Sequence, residues 1–123
     1  MIRRTAVVVL VGGAALIGAC AALSATSAPV LNGTVGPGFT ITLKSKGKPV
    51  KTLKPGSYSF VVADKASVHD FVLEKKKGGT FEKELTTVSF QGTKTAKVKL
   101  SAGTYEFYCR PHESIMQGEF TVT

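Results

Sequence analysis

The stretch YEFYCRPHESIM, residues 105–116, concentrates the reactive side chains of this chain. It holds Cys109, His112 and Met116: a thiol, an imidazole and a thioether within eight residues. The whole 123-residue sequence has only 2 cysteines, 2 histidines and 2 methionines. Two chemistries fit. A thiolate beside a histidine base would be a nucleophile. Three soft or borderline donors would be most of a metal site.

The nucleophile lacks its supporting parts. Such enzymes usually need an orienting Asn or Asp, an oxyanion hole and a cleft. From Ala28 onward no segment has a helical period, so no helix N-terminus is expected to activate the thiol. The metal reading lacks one ligand, and His69 is the only other histidine. Two imidazoles, one thiolate and a weak axial thioether are the donors of a blue-copper electron-transfer centre. Thiolate and thioether suit Cu(I), while imidazole accepts Cu(II); zinc rarely takes thioether sulfur. Singly, His69, Cys109 and Met116 would each more often be ordinary strand or core residues. The spacing argues against three such coincidences at once.

Short strands must position these residues. Phe39–Leu43, Tyr58–Ala63, Val68–Leu73, Leu85–Phe90, Thr93–Leu100, Thr104–Cys109 and Gly118–Thr123 each read as strands. They are separated by turn signals such as Pro55-Gly56, Gly78-Gly79 and Gln91-Gly92. Regular short strands of this kind predict an all-β antiparallel sandwich. Alternation places Tyr105, Phe107 and Cys109 on one buried face, and His69 on the face of Phe71 and Leu73. Tyr58, Phe60, Phe71, Phe81, Phe90, Tyr105, Phe107 and Phe120 are the candidate core. Tyr108 is expected to point outward. Residues 29–38 read as a linker or irregular edge, and 39–123 as one domain.

The N-terminus has export anatomy. Arg3-Arg4 precedes the apolar run Thr5–Ala19, and a small, polar stretch follows. Residues 1–28 thus read as a signal segment. Three fates stay open: cleavage near residues 24–28, lipidation of Cys20 within the lipobox-like LIGAC, or retention as an anchor. In each case the domain is expected outside the cytoplasmic membrane, periplasmic or on the outer face. Cys109 then has no disulfide partner, and a lone exported thiol calls for an occupant.

Charge narrows the partners. Of 16 Lys and Arg, Arg3 and Arg4 fall in the leader, leaving 14 against 8 acids. No basic helix, zinc-finger spacing or RNP-like motif points to nucleic acid. Lys44, Lys46, Lys48 and Lys75–Lys77 read as solvated strand edges and loop tips, lysine being a common guard of edge strands.

GTYEFYCRPHESIMQGEF (103–120) resembles the C-terminal copper loop of plastocyanin and related cupredoxins, G-x-Y-x-F/Y-Y-C-x-P-H, a short loop, then M-x-G-x-V/F. VHDFVLE (68–74) is similar to the family's first-histidine strand. The resemblance spans about residues 35–123. It implies an eight-stranded Greek-key sandwich and one type 1 copper ion. It implies His69, Cys109 and His112 as equatorial ligands and Met116 as the axial one. It implies a one-electron carrier, not an enzyme, cycling Cu(II)/Cu(I). Monomeric behaviour and transient redox partners docking near His112 follow from the same likeness.

The departures carry expectations of their own. Three residues separate His112 from Met116, fewer than plastocyanins have and more like small bacterial cupredoxins. Pro111 removes a backbone N–H near the thiolate, which would keep the potential below that of sites with two donors. Asp70 stands where the family commonly has Asn, and Arg110 follows Cys109; an Asp70–Arg110 ion pair would link the ligand loops. Tyr108 is the family's through-bond exit to the surface, and the lysine-rich surface suits an acidic partner. The competing function is copper sequestration or delivery without a dedicated redox partner. A metal-free adhesion module would not keep all four ligand types, and multicopper enzymes need more than 2 histidines.

Overall fold

Period-two alternation of apolar and polar residues dominates the chain, and the computed structural model stacks the resulting strands as two sheets. It describes residues 12–14, 18 and 27–123. The strands are β1 (Val30–Val35), β2 (Ile41–Ser45), β3 (Lys48–Pro49), β4 (Thr52–Leu53), β5 (Gly56–Asp64), β6 (Phe71–Lys77), β7 (Glu82–Thr86), β8 (Gly92–Leu100), β9 (Gly103–Tyr108) and β10 (Gln117–Val122). One sheet has the order β3-β2-β1-β5-β8, the other β4-β10-β9-β6-β7. The expected all-β Greek-key sandwich is present, with β3 and β4 only two residues each. Two pairings, β1 with β5 and β10 with β4, are parallel rather than antiparallel.

The core lies between the sheets. Leu31, Val35, Leu43, Phe60 and Val62 face Phe71, Leu73, Tyr105, Phe107 and Phe120. Phe71 stacks on Phe107 (5.9 Å, 6°) and Tyr105 on Phe120 (5.4 Å, 8°). Each such ring or aliphatic chain, fully buried, contributes about 1.5–3 kcal/mol. The Tyr105 hydroxyl accepts from Ser101 N–H (3.2 Å) and donates to Ser101 C=O (3.0 Å), closing the turn between β8 and β9.

Several expectations shift. Residues 30–35 are not a linker: β1 lies inside the first sheet, with Leu31 and Val35 fully buried. Gly33 fits there because Phe71 and Val62 crowd the position, and a Cβ would meet the Phe71 ring at 2.9 Å. The strand after His69 starts at Phe71, so His69 sits in the preceding loop. The next strand starts at Glu82 and ends at Thr86, short of Phe90. Phe90 is half-buried under Lys94, whose ammonium lies 5.2 Å from the ring centroid. Phe81 is also half-buried, packed against the core. Lys75 is not solvated: only 9% exposed, it donates to Ser101 Oγ (2.6 Å) and lies over Tyr105. Of the expected signal segment, residues 1–28, only 12–14, 18, 27 and 28 are among the described residues, and Cys20 lies outside them.

Candidate metal centre

Three loops meet at one end of the sandwich. Gly36–Thr40 joins β1 to β2, Lys65–Asp70 joins β5 to β6, and Cys109–Met116 joins β9 to β10. The last is closed by its own backbone. Cys109 N–H donates to Met116 C=O (3.1 Å), while the N–H groups of His112 and Met116 donate to Cys109 C=O (3.1 Å) and His112 C=O (2.8 Å). A 3₁₀ turn over Arg110–His112 has Pro111 near its start, where a missing N–H costs nothing. Spacing that looks irregular in sequence thus folds Cys109 and His112 back toward each other.

His69, Cys109 and His112 converge. One ligating atom from each can be chosen so that all lie within 4.8 Å of one another. Nδ1 of His69 and Nδ1 of His112 are each 3.7 Å from Cys109 Sγ. Met116 is fully buried in the same apolar cluster as Cys109. Cys109 is fully buried, His69 is 2% exposed, and His112 is half-buried. Burial pushes the Cys109 thiol up, while the backbone amides of Asp70 and His112 pull it the other way. The cage is therefore shielded from water on every side but that of His112.

The loop around Gly36 completes the wall. Gly36 has φ +72° and lies so close to His69 that a Cβ there would meet its Cδ2 at 3.0 Å. Phe39 stands edge-on to both imidazoles, with centroids 4.9 Å from His112 and 5.9 Å from His69. Sequence reasoning placed Phe39 at the head of a strand and missed this role. Only a Gly-Pro-Gly-Phe turn preceding a strand hints at it.

The expected Asp70–Arg110 ion pair is absent. Asp70 does link the loops, but its Oδ1 accepts the Arg110 backbone N–H at 2.7 Å. The Arg110 guanidinium points away, to Glu82 (2.5 Å) and Glu84 (3.2 Å) on β7. Asp70 is fully buried and Arg110 is exposed, so a side-chain pair would drag the guanidinium into the core at a large desolvation cost. Tyr108 differs in exposure rather than direction. It does turn away from the core cluster, as expected, but it is only 6% exposed rather than open to solvent. Its hydroxyl meets the surface at Glu82, 3.5 Å away.

Two imidazoles and one buried thiolate at the loop end of a two-sheet sandwich define a cupredoxin, and the cluster fits a single type 1 copper ion. A family model described as copper binding proteins, plastocyanin/azurin family, matches residues 43–123. The chain belongs to that family. Comparison with curated proteins gives no match. Among solved structures, the copper protein rusticyanin aligns over 76% of each chain at 19% identity and TM-score 0.57. Auracyanin A, a blue copper protein from Chloroflexus aurantiacus, aligns over 79% of this chain and 100% of its own at 17% identity and TM-score 0.55. A reduced amicyanin mutant aligns over 80% and 87% at 16% identity and TM-score 0.52. At such identities these likenesses speak for the fold.

Proposed function

We propose that this protein carries single electrons between redox partners outside the cytoplasmic membrane. His69, Cys109 and His112 serve as equatorial copper ligands and Met116 as the axial one. The observation that carries the reading is the convergence of two Nδ1 atoms on a fully buried thiolate. Copper bound there supplies a one-electron Cu(II)/Cu(I) couple. The protein's part is to hold the donors still and dry. The closed loop fixes Cys109 and His112, Gly36 and Phe39 brace the imidazoles, and the core buries Met116. A cage that barely rearranges between oxidation states exchanges electrons fast.

His112 is the edge through which a partner would reach the site. Phe39 (61% exposed), Val68 (56%) and Ile115 (62%), one from each of the three loops, offer an apolar docking rim around it. Tyr108 offers a second covalent route from Cys109, ending at the Glu82–Arg110 pair. The domain works as a monomer after export, with the leader cleaved, Cys20 acylated or the apolar run retained. Delivery of copper is the weaker reading, since three of the four ligands are sealed in the core.

The optical spectrum tests the assignment. Copper(II)-loaded protein is expected to absorb intensely near roughly 600 nm, from thiolate-to-copper charge transfer in a His₂Cys site. The band should vanish reversibly on reduction. Copper-loaded protein without the band would overturn the type 1 assignment, and rapid copper loss to an apo-acceptor would favour delivery.

A further inference from the structure

The two sheets carry different charge. Of the 8 acidic residues, only Asp64 belongs to a strand of the first sheet, β3-β2-β1-β5-β8, and it is buried. The others lie on strands of the second sheet or in the loops Lys65–Asp70 and Cys109–Met116. The second sheet's Lys76 is neutralised by Glu74 and Glu106, and Arg110 by Glu82 and Glu84. No ion pair among the described residues involves a lysine of the first sheet.

That sheet's outer face is mostly polar, with Val30, Val61 and Ala63 among its hydroxyl and amide side chains, and its lysines make no ion pair among the described residues. In register, Lys44 lies opposite Asn32, Ser59 sits between Val30 and Lys97, and Ser57 lies opposite Lys99. Lys46, in the turn after β2, extends the positive charge past the end of that strand, while Lys48 pairs with Ser45 on the side opposite to Lys44. No aromatic residue and no arginine stands on this face. Nucleic acid bound as a single strand wants aromatic stacking platforms, and protein interfaces draw their energy from Trp, Tyr and Arg anchors. Dispersed lysines among Ser, Thr and Asn suit instead a diffuse, hydrated anionic plane.

We propose that the outer face of the first sheet docks on an anionic lipid bilayer. The apolar run Thr5–Ala19 is separated from β1 by only ten residues, 20–29, which span at most about 35 Å extended. A chain held by that run, or by an acylated Cys20, keeps this face within reach of headgroups. β1 runs from Val30 to Val35 and leads into the Gly36 loop. Docking on this sheet therefore lays the strands along the membrane and leaves the copper loops facing sideways. The rim of Phe39, Val68 and Ile115 stays free for partners diffusing in or along the same bilayer. The docking itself needs no copper.

Lysine acetylation mapped by mass spectrometry on the full chain tests this. The probes are vesicles of phosphatidylcholine alone and of equimolar phosphatidylglycerol and phosphatidylcholine. Each lysine close to an anionic surface adds about fivefold to the affinity. Lys44, Lys97 and Lys99 should be protected severalfold on the phosphatidylglycerol vesicles only, with exposed Lys77 and Lys83 unchanged. The protection should disappear at about 1 M salt, where the screening length is about 3 Å. The Lys44→Gln/Lys97→Gln/Lys99→Gln variant should lose residual protection at Lys46. Equal modification of both sheets on anionic vesicles would overturn the proposal. So would protection by soluble polyglutamate but not by vesicles, which would assign the face to an acidic protein. A protein that passes this test yet lacks the charge-transfer band would still dock, so the two readings fail separately.

Discussion

At the scale of single residues, Asp70 decides how firmly the two ligand loops are joined. Its Oδ1 holds the Arg110 N–H at 2.7 Å, while its Oδ2 is buried without a hydrogen-bond partner. Asp70→Ala would remove the acceptor of this part-buried hydrogen bond, a cost of about 1 kcal/mol. Asp70→Asn keeps an acceptor and removes a buried carboxylate, so it should retain most stability and the copper spectrum. Arg110→Ala spares the backbone N–H. A double-mutant cycle in chemical denaturation should therefore give Asp70→Ala and Arg110→Ala nearly additive effects, within about 0.5 kcal/mol. Strong coupling would restore the side-chain ion pair. The sequence showed which residues matter here, because Cys109, His112 and Met116 are rare types at telling spacing. It could not show which atom of Arg110 faces Asp70. Burial made that choice, and burial is a property of the assembled loops.

At the scale of elements, the copper loop is tied to the edge strand β7 by charge. Arg110 reaches Glu82 and Glu84, and the hydrogen bond from Arg110 holds the Glu82 carboxyl below its ordinary range. A carboxylate with a lowered folded pKa stabilises the fold above its unfolded pKa and loses that effect as pH falls through the folded one. The melting-temperature gap between the wild type and Glu82→Gln should thus be widest at neutral pH and close below about pH 4. A gap that persists or widens in acid would mean that Glu82 acts through packing. Strands with clean alternation, β5 and β8 above all, were legible within a residue or two. β1 was not, since VLNGTV mixes turn-forming Asn and Gly into a strand. Gly33 is there because the Phe71 ring needs the room, a demand made by the opposite sheet and invisible locally. The parallel pairings of β1 and β4 are equally non-local, set by where the chain crosses between sheets.

At the scale of the whole molecule, the question is whether the metal builds the fold or the fold builds the site. The apolar cluster runs the length of both sheets, and Cys109 and Met116 are two members at one end of it. Hydrogen bonds that close the copper loop, such as Met116 N–H to His112 C=O at 2.8 Å, are made by backbone atoms and need no ion. The stacked pairs Phe71–Phe107 and Tyr105–Phe120 lie in strands, the first of them two residues from His69 and Cys109, and the rings pack on each other with no ion between them. Removing copper with a chelator should therefore leave a folded, cooperative protein with its aromatic circular-dichroism signal intact. Copper binds the native state and should raise the melting temperature by mass action. A thousandfold excess over the dissociation constant would add about 4 kcal/mol. Thermal unfolding of apo and loaded protein, followed by near-ultraviolet circular dichroism, measures both effects. If the apoprotein lost its aromatic signal, the metal would be organising the core. The preformed convergence of His69, Cys109 and His112 would then be a consequence of binding rather than its cause.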